Sequence, residues 1–152
     1  MTTLDRSFWR DFADRYFERT PVVLRDVTDA PLLTPSELMA ALATAGEGLR
    51  HGAPSGVGLW FDGATPTPLH DLVPAPSDGS IADYVRRAAG SGHELCLAQF
   101  DLVRWYPPLL PRVQAFTEHL VESIGLAAVD VDVDCFIGAY RSTPRGIHRD
   151  PA

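Results

Sequence analysis

Residues 131–140, VDVDCFIGAY, alternate with a period of two. Val131, Val133, Cys135, Ile137 and Ala139 fall on one side; Asp132, Asp134, Phe136, Gly138 and Tyr140 fall on the other. Successive side chains of a β-strand point to opposite faces, so this run specifies a strand with one face turned toward a core. A strand needs partners. Three further runs qualify by their β-branched and apolar content: PVVLR (21–25), VGLWF (57–61) and HELCLAQFDL (93–102).

Helical periodicity fills much of the rest. SFWRDFADRYFERT (7–20) carries Phe8, Phe12, Tyr16 and Trp9, Ala13, Phe17 at i, i+4, i+8 spacing, with Ser7 as the expected cap and Pro21 as the stop. TPSELMAALATAG (34–46) is punctuated more fully. Thr34 caps it, Pro35 takes the first position, Glu37 closes a capping box and Gly46 marks the exit. Residues 80–90 and 112–124 predict two more helices, the second with Val113, Phe116, Leu120 and Ile124 inward and Gly125 beyond its end. The Gly- and Pro-rich stretch 50–79 predicts loops around strand 57–61. The fold class expected is α+β, in one domain spanning 1–152.

Composition excludes several functions. With 45% hydrophobic and 22% charged residues, the chain has the makeup of a folded domain. Its net charge of -7 opposes non-specific nucleic-acid binding through phosphates. All 13 basic residues are Arg, so Schiff-base chemistry and a lysine-bearing phosphate loop are excluded within this segment. Cys96 and Cys135 lie in separate apolar runs, predicting buried free thiols and a cytoplasmic setting, although sequence leaves a disulfide between them open. The start, MTTLDRSFWRDF, lacks a signal-peptide pattern, and no run approaches the roughly 18 apolar residues of a membrane span.

The chemistry-bearing stretch is YRSTPRGIHRDPA (140–152). Pro151 biases Asp150 toward extended backbone, and in an extended GIHRDPA His148 and Asp150 project to one side, with Arg149 opposite. Imidazole and carboxylate together make two-thirds of a 2-His-1-carboxylate triad, a set that suits ferrous iron and leaves coordination positions open. Alone, a His-x-Asp tripeptide is more often a solvated histidine beside a charged strand end.

The wider context carries more. FWRDFADRYFERTPVVLRDV, PLLTPSELMAAL, FTEHLVESIGL and AYRSTPRGIHRDPA occur in this order, and together they resemble the cupin-like, JmjC-related Fe(II)/2-oxoglutarate oxygenases, in the branch that includes ribosomal oxygenases. The likeness is looser between residues 50 and 105. It implies a helical region over about 1–125 that leads, over about 126–152, into the first strands of a cupin-type double-stranded β-helix (jelly roll). It places His148 and Asp150 on the first two iron ligands, and Tyr140, Ser142 and Thr143 near the 2-oxoglutarate co-substrate. The family's third histidine and its co-substrate-gripping basic residue are expected downstream of Ala152, so this segment corresponds to the front part of such an enzyme. A peptide, protein side chain or small molecule would be its substrate. Two rivals stand beside this: a cupin-like binding or assembly module without catalysis, and a metal-dependent cupin that does not use 2-oxoglutarate. An incomplete barrel also predicts exposed strand edges and self-association, a homodimer being its simplest form.

Other features have plainer explanations. Asp130, Asp132 and Asp134 open like a calcium loop, but its sixth position is Cys135 and its twelfth Arg141, so a solvated strand face is expected. His51, His70, His93 and His119 are expected to be solvated or locally hydrogen-bonded. RWYPPLLP (104–111) predicts a packed lead-in to a helix. Arg141, Arg145 and Arg149 could attract an anion, or serve only to balance charge in an acidic chain.

Overall fold

In a computed structural model the described residues are 4–25, 31–62, 64, 70–90, 94–125 and 132–141. They form an α+β chain with five α-helices and one three-stranded antiparallel sheet. Two compact units are distinguished, Met1–Leu33 with Pro108–Val131 and Thr34–Pro107 with Asp132–Ala152.

The first unit is built on α1 (Arg6–Arg15) and α5 (Leu110–Ile124). Arg6 at the start of α1 pairs with Glu122 near the end of α5 at 2.9 Å, so the helices run antiparallel. Trp9 is buried, with Phe8 and Phe12 edge-on at 5.1 and 5.3 Å. The expected cap is corrected: Asp5 Oδ1, not Ser7, accepts the Phe8 N–H at 2.9 Å. A carboxylate also favours the positive helix terminus, and Ser7 instead donates to Asp5. The helix stops before Pro21, in a turn over residues 16–19 where Glu18 adopts φ 56°. The expected strand 21–25 is absent from the described sheet, and Val22 and Val23 are exposed, Val23 at 77%. High β-propensity makes a strand only where a ladder receives it.

The second unit holds the sheet. β1 (Val57–Phe61), β2 (Leu95–Gln99) and β3 (Cys135–Ala139) lie in the order β1-β2-β3, with Leu59 opposite Leu97 and Leu97 opposite Ile137. One face presents Val57, Leu59, Phe61, Leu95, Leu97 and Ile137 to α2 (Pro35–Arg50) and α3 (Ile81–Ala89), where they meet Met39, Leu42, Ala43, Tyr84 and Ala88. Each fully buried Leu here contributes on the order of 2 kcal/mol. β1 has the expected bounds, whereas β2 and β3 are shorter than the sequence implies. Residues 132–134 belong to no strand, and Glu94 and Phe100 flank β2.

The capping box at Thr34 forms as expected: the hydroxyl accepts from Glu37 N–H, and the Glu37 carboxylate accepts from Thr34 N–H at 2.8 Å. Gly46, however, does not end the helix, which continues to Arg50. Its role is close approach. A Cβ there would overlap the Pro74 carbonyl oxygen. The lead-in predicted at 104–111 is α4 (Leu102–Trp105) followed by a 3-10 turn, Pro107–Leu109. Trp105 lies over Gly48, and the Tyr106 hydroxyl donates to Glu37 Oε1 at 2.9 Å.

Candidate functional site

The sheet face opposite the one packed on α2 and α3 is made of small residues edged by aromatics. Cross-strand register puts Gly58 beside Ala98 and Phe136, and Trp60 beside Cys96 and Gly138. Residues directly opposite share a face, so these six form one surface. The Trp60 ring folds back over Gly58, and Phe136 meets Phe100 edge-on at 6.2 Å. Gly138, directly opposite Cys96, has no side chain to cover the thiol. Tyr140 lies two residues on, with its hydroxyl near enough to the thiol to influence it. Burial raises the Cys96 thiol above its ordinary range and outweighs the opposing influence of Tyr140. Burial likewise raises Tyr140, and the neighbouring Cys96 adds to the rise.

Cys135 faces the other way, opposite Gln99, among the helix-packed residues. The two cysteines therefore project from opposite faces of the sheet, and both are free thiols. The disulfide that sequence left open does not form. Burial raises the Cys135 thiol as well.

Around β3, Asp132 Oδ1 accepts from Val133 N–H at 2.8 Å and Asp134 Oδ1 from Asp101 N–H at 3.2 Å, both on exposed residues. Asp132 and Asp134 are thus solvated as expected, though outside the strand, and Asp130 lies outside the described residues. Arg141 is largely exposed and pairs with Glu94 at 3.3 Å. Of the four other histidines, His51 Nδ1 meets Glu47 O at 2.8 Å and His119 Nδ1 meets Glu122 Oε2 at 3.3 Å, both within their own helical neighbourhood. His70 is exposed, and His93 lies outside the described residues.

Of the site residues expected from sequence, Tyr140 is described, half-buried at the end of β3. Ser142, Thr143, His148 and Asp150 lie outside the described residues, as do Arg145 and Arg149. Among the described residues no group of three His, Cys, Asp or Glu side chains could hold a metal ion. The sequence reading missed the proximity of Cys96 and Tyr140. Its only trace there is the glycine at 138, which acquires meaning once register sets it opposite Cys96.

A second polar constellation is structural. Asp78 is buried, and its carboxylate receives Arg87 Nε at 2.5 Å, Arg87 Nη2 at 2.9 Å and Ala75 N–H at 2.8 Å. Arg87 also donates to the carbonyls of Asp71 and Val73, while Arg50 donates to those of His70 and Val73. Two guanidinium groups, from α2 and α3, thus hold the backbone of residues 70–73 against the sheet-packed helices. The Arg87 bonds keep the Asp78 carboxyl below its ordinary range, against the opposing effect of burial. Beside it the Tyr84 phenol, 5.6 Å from Arg87, is raised by burial, and its oxygen has no hydrogen-bond partner among the described residues.

No protein-family model matches the chain, and no curated protein or solved structure was found to match it. No described helix is long and apolar enough to cross a membrane.

Proposed function

We propose that residues 1–152 form the front part of a non-haem Fe(II)/2-oxoglutarate-dependent hydroxylase, with His148 and Asp150 as two of its iron ligands. The observation that carries the reading is β3 itself. The strand expected to lead into the metal motif lies at one side of an antiparallel sheet, next to β2, with its alternate residues on separate faces. A cupin-type barrel would continue from such a strand. The donor set also fits: an imidazole nitrogen and a carboxylate oxygen suit ferrous iron, with the third ligand, a histidine, coming from residues beyond Ala152. When bound, iron supplies the reaction with dioxygen and 2-oxoglutarate supplies the reducing electrons. The chain's own part is to orient them. His148 and Asp150 would fix iron on one side of the backbone, while Tyr140, Ser142 and Thr143 would offer hydroxyls to the co-substrate. Overall, one C–H bond becomes C–OH as 2-oxoglutarate and dioxygen become succinate and carbon dioxide, the substrate being a protein side chain, a peptide or a small molecule.

The test is succinate release from 2-oxoglutarate by a polypeptide that carries residues 1–152 and continues past Ala152. Iron-dependent succinate, lost in His148→Ala and in Asp150→Ala, is expected. Absence of succinate under iron would reject the reading. A non-catalytic cupin-like module would then remain if no turnover were found, and a different metal-dependent cupin if turnover proceeded without 2-oxoglutarate.

A further inference from the structure

We propose that residues 70–79 form a strap that opens from α2 and α3 as one unit while the sheet stays folded, with Arg50 and Arg87 as its two fastenings. The device lies wholly within the second unit and does not depend on the metal motif. Its residues make turns and one 3-10 turn, Pro76–Asp78, and belong to no α-helix or strand. Among the described residues, no backbone–backbone hydrogen bond joins 70–77 to another element. Side chains do that instead. Arg50 donates from Nε to His70 O at 3.2 Å and from Nη2 to Val73 O at 2.8 Å. Arg87 donates from Nη1 to Asp71 O at 2.6 Å and from Nη2 to the same Val73 oxygen at 3.1 Å. Asp78 completes the fastening by accepting from Arg87 Nε and Nη2. Every one of these bonds depends on one of two side chains, and both converge on one carbonyl. Beyond the strap, Gly79 at φ 72° leads to the Ser80 cap of α3, with nothing within 4 Å of where a Cβ would stand. An unpacked glycine at such a junction can absorb a backbone rotation.

The energetics separate the strap from the sheet. On opening, guanidinium–carbonyl bonds are exchanged for bonds to water, so each contributes far less than its bare strength. Neither guanidinium is sealed from solvent, the Arg50 side chain being 23% and that of Arg87 37% exposed. The apolar loss is confined mainly to Val73 and Pro74, whereas opening the sheet breaks its ladder and its leucine packing together. Tyr84 also favours opening. Its hydroxyl is buried without a hydrogen-bond partner among the described residues, and the ring shares a buried cluster with Val73. Lifting the strap admits water to an oxygen that has no partner when the strap is closed. Pro76 and Gly79 also form one side of a groove of about 520 Å³ whose other side is Met39, Ala43 and Glu47 of α2. The strap is therefore a movable wall of that groove.

The test places a thiol beneath the strap. In Val73→Cys, alkylation of the introduced thiol and of buried Cys96 on β2 is followed in the same molecules by peptide mass spectrometry. The introduced thiol is expected to react with a rate nearly independent of urea below the unfolding transition, because its opening exposes little surface. Cys96 is expected to follow urea steeply. Arg50→Gln and Arg87→Gln, each in this background, are expected to accelerate the introduced thiol about tenfold, as for loss of charge-assisted hydrogen bonds. Ile137→Val weakens the sheet but not the strap, so it should accelerate Cys96 several-fold and leave the introduced thiol unchanged. Equal urea dependence of the two thiols, with both accelerated by Ile137→Val, would mean that the strap opens only with the whole unit. An introduced thiol indifferent to both arginine variants would equally overturn the fastening role. A second measurement needs no substitution: dilute chymotrypsin should cut the wild type after Leu72 with shallow urea dependence. No cut there until the unfolding transition contradicts the proposal.

Discussion

At the residue scale, Asp78 and Gly46 have structural roles that the sequence did not disclose. Asp78 is a buried carboxylate whose stability depends on Arg87 and on the Ala75 N–H. Removing its charge while keeping its shape, as in Asp78→Asn, leaves the part-buried Arg87 with only neutral acceptors and is expected to cost about 1–2 kcal/mol at neutral pH, measured by urea unfolding. The pH dependence follows from the direction of the shift. The folded-state pKa lies below the ordinary carboxyl value of about 3.9, so this contribution is fully present above that value and is lost as pH falls through the folded pKa. The gap between wild type and Asp78→Asn should therefore hold from neutral pH down to about 4 and close below it. A gap that instead widened on acidification would place the stabilisation elsewhere. Gly46 shows why punctuation can mislead. A glycine thirteen residues into a capped helical pattern has the appearance of a stop, yet here it lets α2 approach the Pro74 carbonyl. Gly46→Ala should lower stability by about 1–3 kcal/mol despite alanine's better helix propensity, because overlap with backbone cannot be relieved by a rotamer change. A thermal melt at or above wild type would contradict the close-approach role.

At the element scale, the parts written locally were legible and the parts written across the chain were not. The Thr34–Glu37 box needs only four consecutive residues, and it forms where expected. Thr34→Ala should cost about 1 kcal/mol, read as a lowered melting temperature. The strand at 57–61 and the alternation in β3 were equally visible, because burial of one face imposes a period of two. PVVLR failed for the complementary reason: its residues favour a strand, but propensity says nothing about whether a partner edge is within reach. Sheet order and register were also hidden, and with them the relation between the two cysteines. Register now places them on opposite faces. A thiol assay should find two free thiols per chain in denaturant and slow alkylation of both in the native state, since burial raises each. One thiol or none in denaturant would mean the register is wrong.

At the scale of the whole molecule, the chain combines an antiparallel helical pair in one unit with a helix-backed sheet in the other. The candidate site divides in the same way as the sequence information did. Tyr140 and its sheet face follow from the alternation at 131–140, whereas the proposed metal motif was legible only as a short pattern in context, and its residues fall outside those described. If the proposed reading is right, this segment holds two of the protein ligands and part of the barrel, and residues 1–152 alone should bind ferrous iron weakly and form no succinate. Tight, stoichiometric iron in isothermal titration of this segment as a monomer would show that the ligands have been misassigned. The central claim is that imidazole 148 and carboxylate 150 serve one cation. Its most direct test is anaerobic ferrous-iron binding by the longer polypeptide, compared with His148→Ala and Asp150→Ala by equilibrium dialysis. One iron per chain in the wild type, with affinity reduced at least about tenfold in each variant, is the predicted result. Undiminished iron binding in both variants would contradict it.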